Sequence, residues 1–349
     1  MNERTLLTKA ECNILRGMAI TGIFLHNYCH WLNPIVKENE YTFTQSNVDW
    51  FTNVITSPDS NLPMHLMSYF GHYGVPIFIF LSAYGLEKKY GDTTKPKVGT
   101  GKFIGIHFLK LFKMMIIGFL AFLLIDYLTP NPFNYDTLKI IAQIGMFNNI
   151  LTDPDDMIWP GPYWFFGLML QLYIIYRLVL YRNHWFVTIA FITTCWLLQV
   201  FCDPEGETLN RLRYNFFGNA LPFGLGQLYA RYGKDLKKTS YYAIAILSSV
   251  LVIICSYNYQ LWFFAPAFVC TGAVGFVKIL PTFINMSFGW MGTLSAALFV
   301  CHPITRKIFI PISRDGNLYT GLFIYIISSI AIAYLYRIIT SKIPSPKIK

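Results

Sequence analysis

The sequence predicts an all-α fold, a polytopic bundle of transmembrane helices, and three observations carry that prediction. The chain is 54% hydrophobic and only 13% charged, where soluble domains carry about 25% charged residues. Its apolar stretches repeatedly reach the roughly 20 residues a helix needs to cross the hydrocarbon core. Its basic residues gather at alternate ends of those stretches, as cytoplasmic loops require. The net charge of +10 invites a nucleic-acid partner, but this distribution argues otherwise and makes the charge a record of topology.

The apolar runs give about ten spans: 13–32, 74–90, 103–128, 162–181, 184–201, 214–232, 240–257, 261–279, 284–302 and 318–338. With the N-terminus inside, inner segments hold Arg4, Lys9, Lys88, Lys89, Lys95, Lys97, Lys102, Arg182, Arg231, Lys234, Lys237, Lys238, Lys278, Lys342, Lys347 and Lys349. Outer segments hold Lys37, Lys139, Arg211, Arg213, Arg306, Lys307 and Arg314. That asymmetry places both termini in the cytoplasm. No small-residue cleavage site follows the first apolar run, which reads as a retained signal-anchor helix. The outer loop 33–73 carries Val48, Trp50, Phe51, Val54 and Ile55, the pattern of a helix lying at the interface. The outer loop 129–161 is rich in turn formers around a helical piece near 136–148. No fixed repeat is visible and no stretch is left for a soluble unit, so residues 1–349 form one membrane domain. The seven cysteines lack C-x-x-C spacing and sit mostly in apolar runs, where they read as small apolar filler.

The first span holds Arg16, His26 and His30. A charged side chain at membrane depth costs about 2.5–3.5 kcal/mol on insertion scales and faces a cavity or a partner. Arg16 and His26 are about 15 Å apart along the axis and about 80° apart around it at ideal geometry. They line one side at different depths. An imidazole titrates near pH 6.5 and is the natural proton acceptor at neutral pH. His26 and His30 also have the i, i+4 spacing of metal ligands, but no third ligand is evident and no metal is expected.

In the third span, Lys110 and Lys113 share a helical face one to two turns inside the membrane. They either snorkel to lipid phosphates or line a phosphate-bearing ligand. Four patches of Gly, Pro, aromatic and polar residues follow at span ends: 74–85, 163–173, 213–226 and 292–303. Small residues there allow close packing of helices. Gln171, Arg213 and His302 within these patches are polar groups that need partners in or near lipid.

Taken in order, these segments resemble the membrane acyltransferases of the acyltransferase 3 family, and the resemblance spans the chain. The opening Arg-Gly pair, apolar run and histidine are matched by Arg16-Gly17 and His26. The phenylalanine-rich stretch ending in Leu-Ser-Gly looks like Phe78 to Ala83, through Ser82. The Trp-Phe…Tyr segment looks like Trp164-Phe165 and Tyr173, the Phe-x-x-Gly segment like Phe223 to Gly226, and the late Ser…His-x-Pro segment like Ser295 to His302-Pro303. Two departures stand out. The Arg-to-His spacing is one residue shorter than usual, so either His26 or His30 faces the acceptor, and Ala83 replaces a glycine.

The resemblance implies transfer of an acyl group, commonly acetyl, from cytoplasmic acyl-CoA to a hydroxyl of a cell-envelope glycan or lipid-linked saccharide. It implies a multi-pass protein of a bacterial cytoplasmic membrane, with acyl-CoA as co-substrate and no permanently bound cofactor. The expected roles are His26 as general base, Arg16 holding the donor or the helix geometry, and Lys110 and Lys113 on the donor phosphates. His30, Ser82, Trp164, Gln171, Tyr173 and His302 are expected to line the pocket, with Trp31, Tyr163 and Trp164 offering aromatic faces to a sugar. The competing reading is a transporter or flippase of a glycan or small solute, which needs the same intramembrane charges.

Overall fold

A computed structural model describes residues 6–151 and 153–346, and every regular element among them is helical. Arg4, Lys347 and Lys349, expected on the inner side, lie outside the described residues. Each of the ten expected spans coincides with a helix. In chain order these are α1 Lys9–Cys29, α4 Gly74–Tyr90, α5 Thr100–Leu128, α8 Trp164–Ile175, α9 Trp185–Val200, α11 Phe216–Tyr232, α12 Lys238–Ser256, α14 Ala265–Ile279, α15 Thr282–Arg314 and α16 Leu318–Ser341. Six stretches are long and apolar enough to cross a bilayer: Leu62–Tyr90, Thr100–Leu128, Gly161–Leu180, Lys238–Ser256, Thr282–Arg314 and Leu318–Ser341. The protein is a multi-pass membrane protein.

The remaining helices lie in the loops. α2 Gln45–Thr56 is the helix expected in that loop, and its Val48 and Phe51 pack on the protein itself, against Trp262 and Tyr69. α6 Thr137–Gly145 is the helical piece expected in the second outer loop, capped by the Asp136 side chain. Short helices α7 Pro154–Met157, α10 Glu207–Tyr214 and α13 Tyr259–Trp262 lie between the longer ones. The first outer loop is shorter than expected. α3 Leu62–Phe70 runs through a 3-10 turn, Gly71–Tyr73, straight into α4.

α15 also departs from expectation, because it continues through Pro303 instead of ending there. A proline deletes one backbone hydrogen bond and frees carbonyls in the preceding turn. Here His302 Nδ1 hydrogen-bonds the Leu298 carbonyl at 2.9 Å, and Tyr163 OH donates to the Val300 carbonyl at 3.0 Å. Neighbouring side chains thus brace the turn on either side of the Phe299 carbonyl, whose backbone donor Pro303 lacks.

α1 is the hub. It packs along α15 and against α3 and α4, while α16 covers the far side of α15 and α11 lies on α4. The α1–α15 crossing explains the Arg16-Gly17 pair. A Cβ on Gly17 would sit 1.8 Å from the Phe288 carbonyl oxygen, and one on Gly292 would sit 1.8 Å from that of Asn13. Two glycines facing each other's backbones let the helices touch, the way membrane helices gain dispersion contact without a hydrophobic drive. That contact fixes where the rest of α1 points.

Candidate active site

α1 carries His26 into a cavity of about 110 Å³ enclosed by α1, the loop after it, the Gly71–Tyr73 turn, α8 and α15. His26 is 2% exposed. Its Nδ1 lies 2.8 Å from the Ser68 carbonyl oxygen, and a carbonyl can only accept, so Nδ1 carries the proton. Nε2 faces the cavity, 3.6 Å from a Glu40 carboxylate oxygen. His30 stacks on His26 one turn further out, ring centroids 4.6 Å apart, and its Nδ1 is held by the His26 carbonyl at 2.9 Å. Both imidazoles therefore line the same cavity, and the shortened Arg-to-His spacing does not turn His26 away from it.

The loop between α1 and α2 folds back into the bundle, with Leu32, Ile35 and Val36 fully buried. It delivers Glu38, Glu40 and Tyr41 to the cavity wall. Arg213 fastens this loop by donating from Nε and Nη2 to the Glu40 carbonyl, each at 3.1 Å, while its guanidinium lies 4.3 Å from the Trp262 ring centroid. Burial pushes the Arg213 guanidinium down to about 10, still charged at neutral pH. Burial holds the Glu38 carboxyl above the usual carboxylate range. His72, from the turn between α3 and α4, is 6% exposed and its ring centroid lies 5.6 Å from that of His26. Neither of its ring nitrogens has a hydrogen-bond partner among the described residues, nor has Glu38 Oε2 or His302 Nε2. Of these, His72 and Glu38 line the cavity and His302 stands behind it.

His26, His30 and Glu38 present donor atoms within 4.8 Å of one another. Glu38 is thus the third ligand type that the i, i+4 histidine spacing lacked, and the trio has the composition of a zinc-binding set.

Two more cavities lie below. A pocket of about 160 Å³ is lined by Arg16, Ser82, Tyr173 and Ser295, and it shares Phe165 and Phe299 with the His26 cavity. Arg16 is steadied by the Asn13 side chain at 3.0 Å. A groove of about 290 Å³ at the opposite end from the His26 cavity is lined by Lys110, Lys113, Thr293 and Arg337, and it shares Met114 and Ala296 with the middle pocket. Lys113 also reaches the Ile343 carbonyl at 2.5 Å and Ser345 Oγ at 3.1 Å in the C-terminal segment. Shared side chains set the three cavities in a row, from three cations to two histidines, as a candidate path.

The combination of an Arg-Gly-anchored first helix, a buried histidine above it and Ser, Tyr and His-Pro segments around a single path is supported by the whole chain. Residues 10–338 match the family described as an acyltransferase domain. The chain belongs to the acyltransferase 3 family. No curated protein and no solved structure matches it. Membership makes the protein a membrane acyltransferase, and the path is where its chemistry is sought.

Several expected residues are re-placed. Trp164 does line the His26 cavity, and Ser82 and Tyr173 line the pocket beneath it. Gln171 does not face the path. It donates to Asn215 Oδ1 at 2.7 Å and accepts from the Phe216 amide at 3.1 Å, clamping α8 to the start of α11. His302 stands behind the cavity on α15, fully buried, because its Nδ1 is occupied in the Pro303 turn. Tyr163 offers no face to a sugar, since it is 0% exposed and spends its hydroxyl on the same turn. Glu38, Glu40, His72 and Arg306 were not singled out by sequence reasoning. The Glu pair nine and eleven residues past the end of α1 at Cys29 was the available signal, but only the re-entry of the loop gives it meaning.

Proposed function

We propose that this acyltransferase moves an acyl group, acetyl in the simplest case, from cytoplasmic acyl-CoA to a hydroxyl of a cell-envelope saccharide. The reading places about ten spans in a bacterial cytoplasmic membrane with both termini inside. Lys110, Lys113 and Arg337 meet the donor phosphates at the inner end. The acyl-bearing arm follows the shared path past Arg16, Ser82 and Tyr173 and brings the thioester carbonyl beside His26.

The observation that carries the reading is the state of His26. Its Nδ1–H is tied to the Ser68 carbonyl, so Nε2 is left with a lone pair directed into the cavity. That is the tautomer a general base needs. The acceptor hydroxyl gives its proton to Nε2 as its oxygen attacks the thioester carbonyl. The tetrahedral intermediate collapses with cleavage of the C–S bond, and the same proton passes to the departing sulfur as the thiol. The new C–O bond is the ester. Glu40, 3.6 Å from Nε2, stabilises the imidazolium formed between the two steps.

Purified protein given radiolabelled acetyl-CoA tests the first half directly. Saturable binding that falls in Lys110→Gln/Lys113→Gln supports the donor route, whereas no binding returns the path to solute transport. Envelope saccharide from cells expressing His26→Ala tests the second half, and wild-type acylation there sinks the base.

A further inference from the structure

A second opening meets the His26 cavity from the outer side. It is a groove of about 570 Å³ between the loop after α5, Trp159 and the outer end of α15, and it shares Trp31 and Arg306 with the His26 cavity. Its size falls within the about 300–1,000 Å³ of small-ligand sites. Two features give it chemical character.

The first is an aromatic wall. Phe133 and Trp159 stack on each other, ring centroids 5.2 Å apart at 13°, so that one backs the other, and Trp31, 43% exposed at the junction with the cavity, has the Arg306 guanidinium 5.5 Å from its ring centroid. Trp159 Nε1 is a buried donor with no hydrogen-bond partner among the described residues. Flat ring faces with a spare donor suit the C–H face and hydroxyl rim of a sugar ring.

The second is unbalanced positive charge. Three cations of α15 line the groove, Arg306, Lys307 and Arg314. Lys307 is neutralised by Asp126 at 2.9 Å. Among the described residues no carboxylate lies within 4.0 Å of Arg306 or Arg314, and both act electrostatically on each other. Arg306 is only 6% exposed, and its hydrogen bonds, at 3.1 and 3.4 Å, run from Nη1 alone to the carbonyl and side chain of Asn27. Arg314 is exposed and makes one long contact, Nη2 to the Trp31 carbonyl at 3.4 Å. A buried charge without a counter-ion is strongly unfavourable. An arginine fork presents paired N–H groups that match a carboxylate or phosphate.

We infer that the acceptor is an anionic saccharide, its carboxylate or phosphate held between Arg306 and Arg314, its ring faces on Trp31, Phe133 and Trp159, and a hydroxyl directed towards His26. The inference rests on the transferase reading only for the fate of that hydroxyl. The anion preference belongs to the groove itself, and it is measurable without a donor.

Isothermal titration of the full-length protein in phosphatidylcholine nanodiscs with a galacturonate trisaccharide and the equally linked galactose trisaccharide is the test. The charged sugar should bind at least tenfold more tightly in low salt, and its advantage should shrink as salt rises. Arg314→Gln, an exposed change that leaves the packing intact, should abolish the advantage, and Arg314→Lys should retain part of it. Equal affinity for the two sugars, binding of neither, or an advantage untouched by Arg314→Gln overturns the inference. A preference missing in phosphatidylcholine together with saturable binding of phosphatidylglycerol overturns it too, because the guanidinium groups then hold a lipid headgroup. Acetyl-CoA binding by the same samples keeps the readings apart. Donor binding without any anion preference sinks this inference alone.

Discussion

Two clusters of ionisable groups sit inside the bundle, and they differ in whether their bonds are complete. Near the C-terminal end of α4, Glu87 is 7% exposed and fully engaged. Arg231 reaches it at 2.7 and 3.2 Å, Tyr176 OH at 3.1 Å and Gln227 Nε2 at 3.1 Å. Gln227 in turn accepts from Thr188 at 2.9 Å, so that α4, α8, α9 and α11 share one closed network. Around His26 the pattern reverses. His72 and Glu38, which line the cavity, each leave a buried polar atom without a partner among the described residues. Low dielectric strengthens a satisfied network and penalises an incomplete one. The closed cluster ties four segments together, and the open one is where the proposed reaction would be placed.

The sharpest way to break that contrast is to delete one member from each cluster. His26→Ala should lower acyl transfer by about 10²–10⁴-fold, the usual contribution of a positioned base. Its melting temperature should fall modestly, because the buried Ser68 carbonyl loses its Nδ1–H donor, and by less than in the Glu87 variant. His30→Ala, one turn outward, should cost less activity. If the two results exchange places, the base is His30.

Glu87→Ala should do the opposite. Removing one partner of a buried ion pair costs about 3–5 kcal/mol, because the other charge stays behind. Yield and melting temperature should fall, while turnover per folded molecule stays near wild type. Replacing both partners, Glu87→Leu with Arg231→Met, should recover much of the stability, as apolar substitutes for buried pairs commonly do. A double variant as unstable as the single one would mean that the network does more than pair two charges.

The donor end gives a smaller effect. Lys110→Gln with Lys113→Gln should raise the apparent donor KM about tenfold or more, from hydrogen bonds to charged phosphates worth about 1.5–3 kcal/mol each. Acceptor KM should hold. An unchanged donor KM would assign both lysines to the lipid boundary, where Lys113 already has Ile343 and Ser345 as partners.

The helices were legible because crossing a bilayer leaves a long, one-dimensional signal, and each expected span coincides with one. The Arg16-Gly17…His26 segment was legible too, since its chemistry and its packing point lie within one helix. The rest of the site was hidden for a physical reason. Glu38 and Glu40 sit in a stretch that reads as an ordinary polar outer loop, and only Leu32, Ile35 and Val36 burying themselves turn it inward. Arg306 read as an outer flanking cation because Pro303 suggested that the helix had ended. Gln171 and Tyr163 were misread in the other direction. A polar atom in an apolar run announces that it needs a partner, but not whether that partner is a substrate or the neighbouring backbone.

The smallest expected effect separates the clusters by pH. Glu38 lies in the loop before α2, outside the spans, where burial raises its carboxyl above the usual range while His26 and Lys37 pull it down and Glu40 pushes it further up. A raised folded-state pKa means that the native protein binds more proton than the unfolded chain between the ordinary carboxylate pKa and the raised one. Stability from this group is therefore greatest at the acid side and is lost as pH rises through that window. Glu38→Gln keeps the size and removes the titration, so its melting temperature should fall less than that of wild type between about pH 4 and pH 7. Parallel melting curves in detergent, plotted as the difference between the two proteins against pH, isolate the group from all others that titrate. A flat difference would mean that Glu38 is as well solvated in the fold as outside it, and that the cavity around His26 is wet and not waiting for a partner.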